Sequence, residues 1–595
     1  MKLKLTRVLR GFSRWDVVFV TIFFSALTLL LHYKVVAQFS KCVIAGQQVG
    51  SYYSWVFWWR KYALQHGLPM FYTHHIMYPG GTLIWPHAPL IEVLALLLQM
   101  FTTPWAALNA IFISNYICAA VASYILFYSI SRESIPSVCG AFAYAFSQFM
   151  LVQHFHGHIN ESAIYFAPLF ALSLIRFRET PCSKTAFWVG CSLTGIVLST
   201  PTLLVTFVMI FCLAFFTYDV FFDKARLVKA AAGSRFWLAL FVPMLVCLLV
   251  YWQLLGLKNM QGESFFYTQA LSSFITPPSW HSSALVRLLT LKSNAVVFPE
   301  MSMSYLGLGT LLFIAYGFVQ KLWKETSFQL WLWIFFVAFV FNLGPWLYLT
   351  PDMKTPIPLP FALILKCPIL SNYRTPARIM SVVSLASSAL LVLSLRRFFI
   401  GKPRWVAVLT GALLMGFAIW EFDIPAPLNR VLPAQAPPVY DTVKNDPERF
   451  AILELPITYS PNGDIYSPNG DFPIYAQVYM LFQIYHEKPM VLGFPARHEA
   501  SALDFTEKSD VVYELVHPSV LPRLDTEPAL WPRAEWMRHN GSRVLKEDGI
   551  KYVVYHRNLK VLPPLVTHSL ESWLKKMFGE PIAADAYGNC LYRTG

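Results

Sequence analysis

The residues best suited to chemistry lie in a short stretch, Gln153-His-Phe-His-Gly-His-Ile-Asn-Glu161, which carries three histidines at alternate positions and ends on an acid. Imidazoles titrate near neutral pH, so His158 is a candidate general base. The same spacing invites a zinc reading, but metal sites usually add a further acid or thiol at defined spacing and a supporting second shell. Without those, the histidines read as a polar cluster at the mouth of a cavity. Glu161 falls at the start of an apolar run, where an acid is costly unless it is functional or well solvated. A helix N-terminus would also favour it through the backbone dipole. A carboxylate there could orient an acceptor hydroxyl, take its proton, or hold a divalent cation. Asn160 stands beside it as a hydrogen-bonding partner for substrate. Far along the chain, Arg374 and Arg378 sit four residues apart, on one face of a helix start. Two such guanidinium groups could clamp a phosphate or diphosphate, or meet lipid headgroups.

A second group of candidates lies between residues 38 and 87, an aromatic segment with no Asp or Glu. Trp55, Trp58, Trp59 and Tyr62 recur at helical spacing, with Arg60 among them. They predict an amphipathic helix at a membrane interface, acting as an aromatic anchor or as a stacking surface for a sugar or prenyl chain. His74 and His75 precede a Pro79-Gly80-Gly81 turn and are further candidate bases.

The elements that position these residues are membrane spans. Of 595 residues, 56% are hydrophobic and 13% charged, against about 25% charged in soluble domains. Apolar runs at roughly 17–37, 106–130, 135–152, 162–175, 185–199, 202–222, 236–256, 304–320, 328–349, 377–395 and 404–421 predict about eleven spanning helices. The N-terminal run reads as an uncleaved first helix, because no clean cleavage site follows it. A further stretch, 88–103, reads as a helix lying on or dipping into the membrane. Counting it as a span would put the basic loops around Arg132, Arg176–Lys184, Lys224–Arg235, Lys321–Lys324 and Arg396–Arg404 outside, against the positive-inside rule. The N-terminus is therefore expected in the cytoplasm. Segment 38–87, the His154–Glu161 turn and the loop at about 257–303 are expected outside. The net charge of +14 sits largely in the inner loops, which argues against nucleic acid and for membrane lipids as its partner. The spans lack buried charges and inverted repeats, so a transporter fits poorly.

Composition changes after Glu421. A proline-rich linker leads to a segment with two expected strands, Phe450–Pro456 and Lys551–Tyr555, and a helix followed by a strand at 473–494. A turn sequence, Ser-Pro-Asn-Gly-Asp, occurs at 460–464 and again at 467–471. The expected organisation is a mainly α transmembrane bundle over 1–423, with its large first external loop 38–87, and a small soluble α/β domain over 424–595.

In this order of elements the chain resembles the bacterial polytopic glycosyltransferases of the GT-C superfamily. The resemblance rests on the Trp-rich helix with Gly-x-Pro-Met-Phe and Tyr-Pro-Gly in the first loop, Gly-His-Ile-Asn after the third helix, and Arg-Thr-Pro-Ala-Arg before a late helix. The Leu-Glu-Leu-Pro strand and Tyr479–Gly493 in the C-terminal domain complete it. It implies inverting transfer of a sugar from a polyprenyl-phosphate donor to a glycan, lipid or protein acceptor on the outer face of a bacterial inner membrane. Relatives carry an Asp shortly before the Trp-rich helix. Here that stretch is Gln47-Gln-Val-Gly-Ser51. Either Glu161 does the work, with His74, His75 or His158, or the chain is a noncatalytic relative that binds lipid-linked glycans or scaffolds an envelope complex. The sequence assigns no cofactor and leaves a divalent cation at Glu161 open.

Overall fold

The computed structural model describes residues 14–45, 49–201, 206–223, 226–252, 268–278, 280–283, 286, 304–366, 375–456, 474–493, 502, 504–558, 562 and 564–595. Arg374, Gln47, the repeated turn sequence and most of 257–303 lie outside them. Helices dominate. Among the described residues, five are long and apolar enough to cross a membrane: Pro104–Ser131, Ser134–His156, Ser234–Tyr251, Pro376–Phe399 and Arg404–Glu421. Five shorter apolar helices accompany them, among them Trp15–Leu31, Leu308–Val319 and Thr326–Asn342. The predicted count of about eleven therefore does not carry over directly. The run at 304–320, for example, becomes only the twelve residues Leu308–Val319.

Burial separates the helices by solvent. The side chains of Met380–Leu395 are all buried, at the centre of the bundle. Ser234–Tyr251 instead turns Trp237, Leu238, Phe241, Leu248 and Leu249 outward. An apolar surface of that kind suits hydrocarbon rather than water. Helix Pro89–Leu98 has ten residues. At 1.5 Å per residue it spans about 15 Å, half of a hydrocarbon core of about 30 Å. It cannot cross, as its sequence predicts.

The C-terminal unit holds a four-stranded sheet, in the order Ala451–Leu455, Ile550–His556, Asn589–Arg593, Ala583–Ala584. The first pair is parallel and the others antiparallel. Both strands expected from the sequence are present. Every residue of Ala451–Leu455 is buried, which explains its unbroken apolar character apart from Glu454. Glu454 accepts hydrogen bonds from Tyr440 at 2.8 Å and lies 2.9 Å from His556. Helix Ile474–His486 follows as expected, and Met490 bridges to Ile452.

The first loop is stitched to this unit and to the bundle. Strand Cys42–Ile44 pairs antiparallel with Val431–Pro433 of the linker. Asn109, on the long helix Pro104–Ser131, accepts from the Ile44 N–H at 3.1 Å and donates to the carbonyls of Phe39 and Cys42 at 2.9 and 2.8 Å. The tryptophan helix, Val49–His66, packs between Pro104–Ser131 and Ile474–His486. It is buried on almost every side, so the expected interfacial anchor is corrected to a core helix. Trp55 and Trp59 stack with their rings 5° from parallel, and the Trp55 indole donates to Gln483 at 2.6 Å.

Candidate functional site

The bundle brings the first loop and the histidine turn into contact. Helix Gln148–His156 ends at Gly157, whose φ of 79° places it in the left-handed region that glycine adopts without strain. A Cβ there would run into the backbone nitrogen of Gly50, at the start of the tryptophan helix. The chain then makes one short helix, Ile159–Ser162. Asn115 pins it by donating to the Ile159 carbonyl at 3.2 Å and to Ser162 Oγ at 2.9 Å. Asn160 and Glu161 are thereby both buried.

Glu161 meets Arg378. The carboxylate Oε1 lies 2.5 Å from the guanidinium, with the acid side chain 5% exposed and the arginine 26%. The sequence presents these as independent candidates, an acid and a phosphate clamp. The structure makes them one ion pair. Arg378 stands in the short helix Pro376–Ile379 that opens the central span. Beside the pair, the Tyr53 hydroxyl donates to Asn160 Oδ1 at 2.7 Å. Burial first, then Tyr52, Glu161 and Glu92, hold the Tyr53 phenol well above its ordinary value, while Arg378 pulls the other way. Tyr53 is therefore a protonated donor.

His158 is hydrogen-bonded through Nδ1 to Gln153 Oε1 at 2.8 Å. Burial and then the Arg378 charge push it down to about 3. So low a proton affinity makes a poor general base at neutral pH. His158 serves instead as a neutral hydrogen-bonding wall. The three histidines do not converge: His154 packs with His32 and Phe112, whereas His156 and His158 stack on each other at 5.7 Å. Among the described residues no group of three or more His, Cys, Asp or Glu side chains is placed to hold a metal. A cation at Glu161 would have to compete with a guanidinium already in contact, so the donor set does not fit one.

Other candidates sit elsewhere. Arg60 is fully buried and ion-paired with Glu92 at 2.8 Å. It also donates to the carbonyls of Ile84, at 3.0 Å, and Met70. It closes the first loop on itself and leaves no surface for substrate. Trp55 and Trp59 are equally enclosed, which removes them as a stacking platform. His74 bonds the Pro79 carbonyl at 3.0 Å in an exposed turn. His75 lies against Trp59 with ring centroids 4.9 Å apart, towards the far end of the tryptophan helix from Tyr53. Burial, then His66 and His74, push it down to about 4. Neither histidine joins the Glu161 group.

Sequence reasoning missed Tyr52, Tyr53, His87 and Glu92. Glu92 Oε1 accepts the His87 N–H at 2.8 Å, and His87 Nε2 is 2.6 Å from the Tyr52 hydroxyl. A polar chain thus runs from Arg60 through Glu92 and His87 to Tyr52, whose ring meets that of Tyr53 edge-on at 5.6 Å. The signal was present: Glu92 is the lone charge in the run 88–103, and Arg60 is, with Lys61, one of two adjacent cations in an aromatic helix. Isolated opposite charges in apolar segments seek each other.

No protein-family model matches the chain, and no curated protein matches it in sequence. Solved structures do. The mycobacterial arabinofuranosyltransferase AftD aligns at a TM-score of 0.52 with 12% identity, over 98% of this chain and 42% of that one. The chain thus spans less than half the length of AftD. The Archaeoglobus fulgidus oligosaccharyltransferase tethered to an acceptor peptide aligns at 0.50 with 11% identity, over 98% of this chain and 74% of that one. ArnT from Cupriavidus metallidurans bound to undecaprenyl phosphate aligns at 0.44 with 10% identity, over 96% of this chain and 98% of that one. At such identities the first two likenesses are likenesses of fold. The chain has the fold of the GT-C membrane glycosyltransferases.

Proposed function

We propose that this protein is a membrane glycosyltransferase that moves a sugar, with inversion, from a polyprenyl-phosphate donor to an envelope glycan, lipid or protein acceptor. It acts on the outer face of a bacterial inner membrane, with the N-terminus in the cytoplasm and residues 424–595 outside. The observation that carries this reading is the buried Glu161–Arg378 pair where the first loop, the histidine turn and the central span meet.

The pair suits the charge changes of the reaction. An acceptor hydroxyl attacks the anomeric carbon from the side opposite the phosphate. The bond from that carbon to the phosphate oxygen breaks, and polyprenyl phosphate leaves with one more negative charge. Glu161 takes the hydroxyl proton and loses its own charge. Arg378 is then no longer neutralised by the carboxylate, and its positive charge becomes available to the departing phosphate. Tyr53 and Asn160 supply the hydrogen bonds that orient the hydroxyl, and His158 bounds the site as a neutral wall. Arg374, four residues before Arg378, is the second arm of the phosphate clamp in this reading.

A second reading has its own observation. Glu161 and Glu92, the acids of this region, are both ion-paired, which suits a protein that binds lipid-linked glycans without turnover. One experiment separates the two. Purified protein in nanodiscs is given a panel of radiolabelled polyprenyl-phosphate sugars with a membrane extract as acceptor. Transfer by the parent protein, lost in Glu161→Gln, supports the enzyme. Donor binding with no transfer from any donor supports the binder.

A further inference from the structure

The helix Thr326–Asn342 runs into a hairpin that no step of the proposed reaction uses. Strand Trp346–Thr350 pairs antiparallel with Met353–Pro358, and the short helix Phe361–Lys366 follows. The hairpin closes on itself: Thr355 Oγ1 donates to the Leu347 carbonyl at 2.9 Å, and the Leu359 N–H to the Pro345 carbonyl at 2.9 Å. Its base lies near the Glu161 site. Gly344 has a φ of 86°, and a Cβ there would run into Thr268 and stand 3.4 Å from Pro376, two residues before Arg378. The side chains the hairpin exposes are the wrong kind for water. Met353, Ile357 and Leu363 are 55%, 51% and 70% exposed. Pro356, Pro358 and Pro360, interleaved with them, are exposed too. Trp346 is half-buried with the Lys354 ammonium 4.7 Å over its ring, and Lys366 is exposed. Tryptophan beside lysine suits a bilayer interface, where the lysine stem stays in apolar surroundings and the ammonium reaches the phosphates.

Helix length puts the hairpin at that depth. Thr326–Asn342 has 17 residues, which rise about 25 Å against a hydrocarbon core of about 30 Å. Lys321 and Lys324 precede it at the opposite surface. Residues 343–345 can add at most about 10 Å. The first strand therefore starts no more than about 5 Å beyond the hydrocarbon, inside the headgroup layer. The same helix turns Phe336 outward, so lipid already borders it on the way there. A strand from another chain is a poor occupant. Pro356, Pro358 and Pro360 have no N–H; that of Ile357 donates to Thr355 Oγ1 at 3.3 Å and that of Leu359 to Pro345. The edge from 356 to 360 thus has no N–H left to pair. We propose that residues 346–363 form an interfacial anchor, with Met353, Ile357 and Leu363 seated in the bilayer leaflet at the Glu161 end of the bundle. Because the hairpin base packs against Pro376, the anchor holds the start of the central span, and Arg378 with it, at the level of the lipid phosphates. Which leaflet this is rests on the orientation proposed above; the insertion does not.

The test uses the full chain in nanodiscs of phosphatidylcholine and phosphatidylglycerol. A nitroxide is placed on one engineered cysteine at a time, at Met353, Ile357 or Leu363, all exposed positions, with exposed Lys575 as the aqueous control. The signal of the labelled parent is subtracted to remove the native cysteines. Oxygen, which concentrates in hydrocarbon, should relax the first three labels more than a water-soluble nickel chelate does, and the order should reverse at Lys575. Met353→Asp combined with Ile357→Asp should return the Leu363 label to the chelate. Chelate access at all three sites equal to that at Lys575 would overturn the proposal, because the face would then lie in water. Labels shielded from both agents, with spin–spin broadening between chains, would overturn it too, because a second copy would then cover the face. A nanodisc exposes both leaflets, so the oxygen pattern is the same for either orientation of the chain, and failure of the orientation and failure of the anchor read separately.

Discussion

Replacing each partner of the Glu161–Arg378 pair should have unequal consequences, and the inequality follows from exposure. Arg378→Met leaves a carboxylate whose side chain is 5% exposed without its cation. Stranding a buried charge costs about 3–5 kcal/mol. Glu161→Gln strands the arginine instead, but that side chain is 26% exposed, so water reaches it. The glutamine oxygen can still accept its hydrogen bond, and the loss should be about 1 kcal/mol. The double variant should recover part of the Arg378→Met loss, because no lone charge remains. Activity should order the variants differently. Glu161→Gln should lower transfer by about 10²–10⁴-fold, the usual cost of removing a general base, while the protein stays folded. Arg378→Lys should keep stability and recover only part of the activity, since an ammonium cannot reproduce the planar fork. Unfolding followed by intrinsic fluorescence in detergent gives the stability order, and radiolabel transfer gives the activity order. Full transfer by Glu161→Gln, or equal destabilisation by Glu161→Gln and Arg378→Met, would refute the reasoning.

Arg60→Met and Glu92→Gln should each loosen the first loop, the arginine change by about 3–5 kcal/mol because it leaves Glu92 buried and alone. Protease cleavage between residues 67 and 87 should then accelerate; resistance equal to the parent would show that the pair does not hold the loop. Stability should also depend on pH through His75, His158 and His486, which burial holds at about 4, 3 and 3. Their ordinary value is 6.5, so below it the unfolded chain binds protons that the native rings refuse. The native state should lose stability as pH falls from about 6.5 towards 4 and gain nothing from these rings above that. His486→Gln should flatten the unfolding temperature between pH 6.5 and 4.5, and an unchanged slope would rule the ring out. For topology, an engineered cysteine at the exposed Lys575 should react with an impermeant reagent in intact cells, and one at Arg397 should not. The native Cys590 is buried and should stay silent. Labelling at Arg397 from outside would invert the proposed orientation.

The parts of the fold that were legible in the sequence depend on neighbours along the chain. Helix Pro104–Ser131 announces itself through Thr103 as cap, Pro104 at its first turn and a long uncharged, mainly apolar run. Its Thr103 side chain accepts from the Ala106 N–H at 3.3 Å. The strands Ala451–Leu455 and Ile550–His556 show in their short apolar runs, the second rich in β-branched and aromatic residues. Within the candidate site, Glu161 and Arg378 were each visible as charges out of place at the ends of apolar segments. What they do to each other was not, because the contact joins two segments far apart in sequence.

The tryptophan helix shows why such limits are physical. A Trp-rich helical face is equally at home against lipid and against protein, since both are apolar and both leave an indole N–H to be satisfied at one edge. Nothing between Val49 and His66 can tell which; Gln483, from the C-terminal unit, supplies the partner and decides it. Arg60 is similar: as a cation it could face phosphate, headgroup or carboxylate, and only the chain reversal that returns Glu92 beneath it settles the matter. The sequence by itself determined the solvent, the spans it could place and the list of groups capable of chemistry, because composition and periodicity act locally. Which of those groups share a site, and which are spent holding the first loop together, was decided by tertiary structure, because a charge buried out of water takes its role from whatever the fold sets beside it.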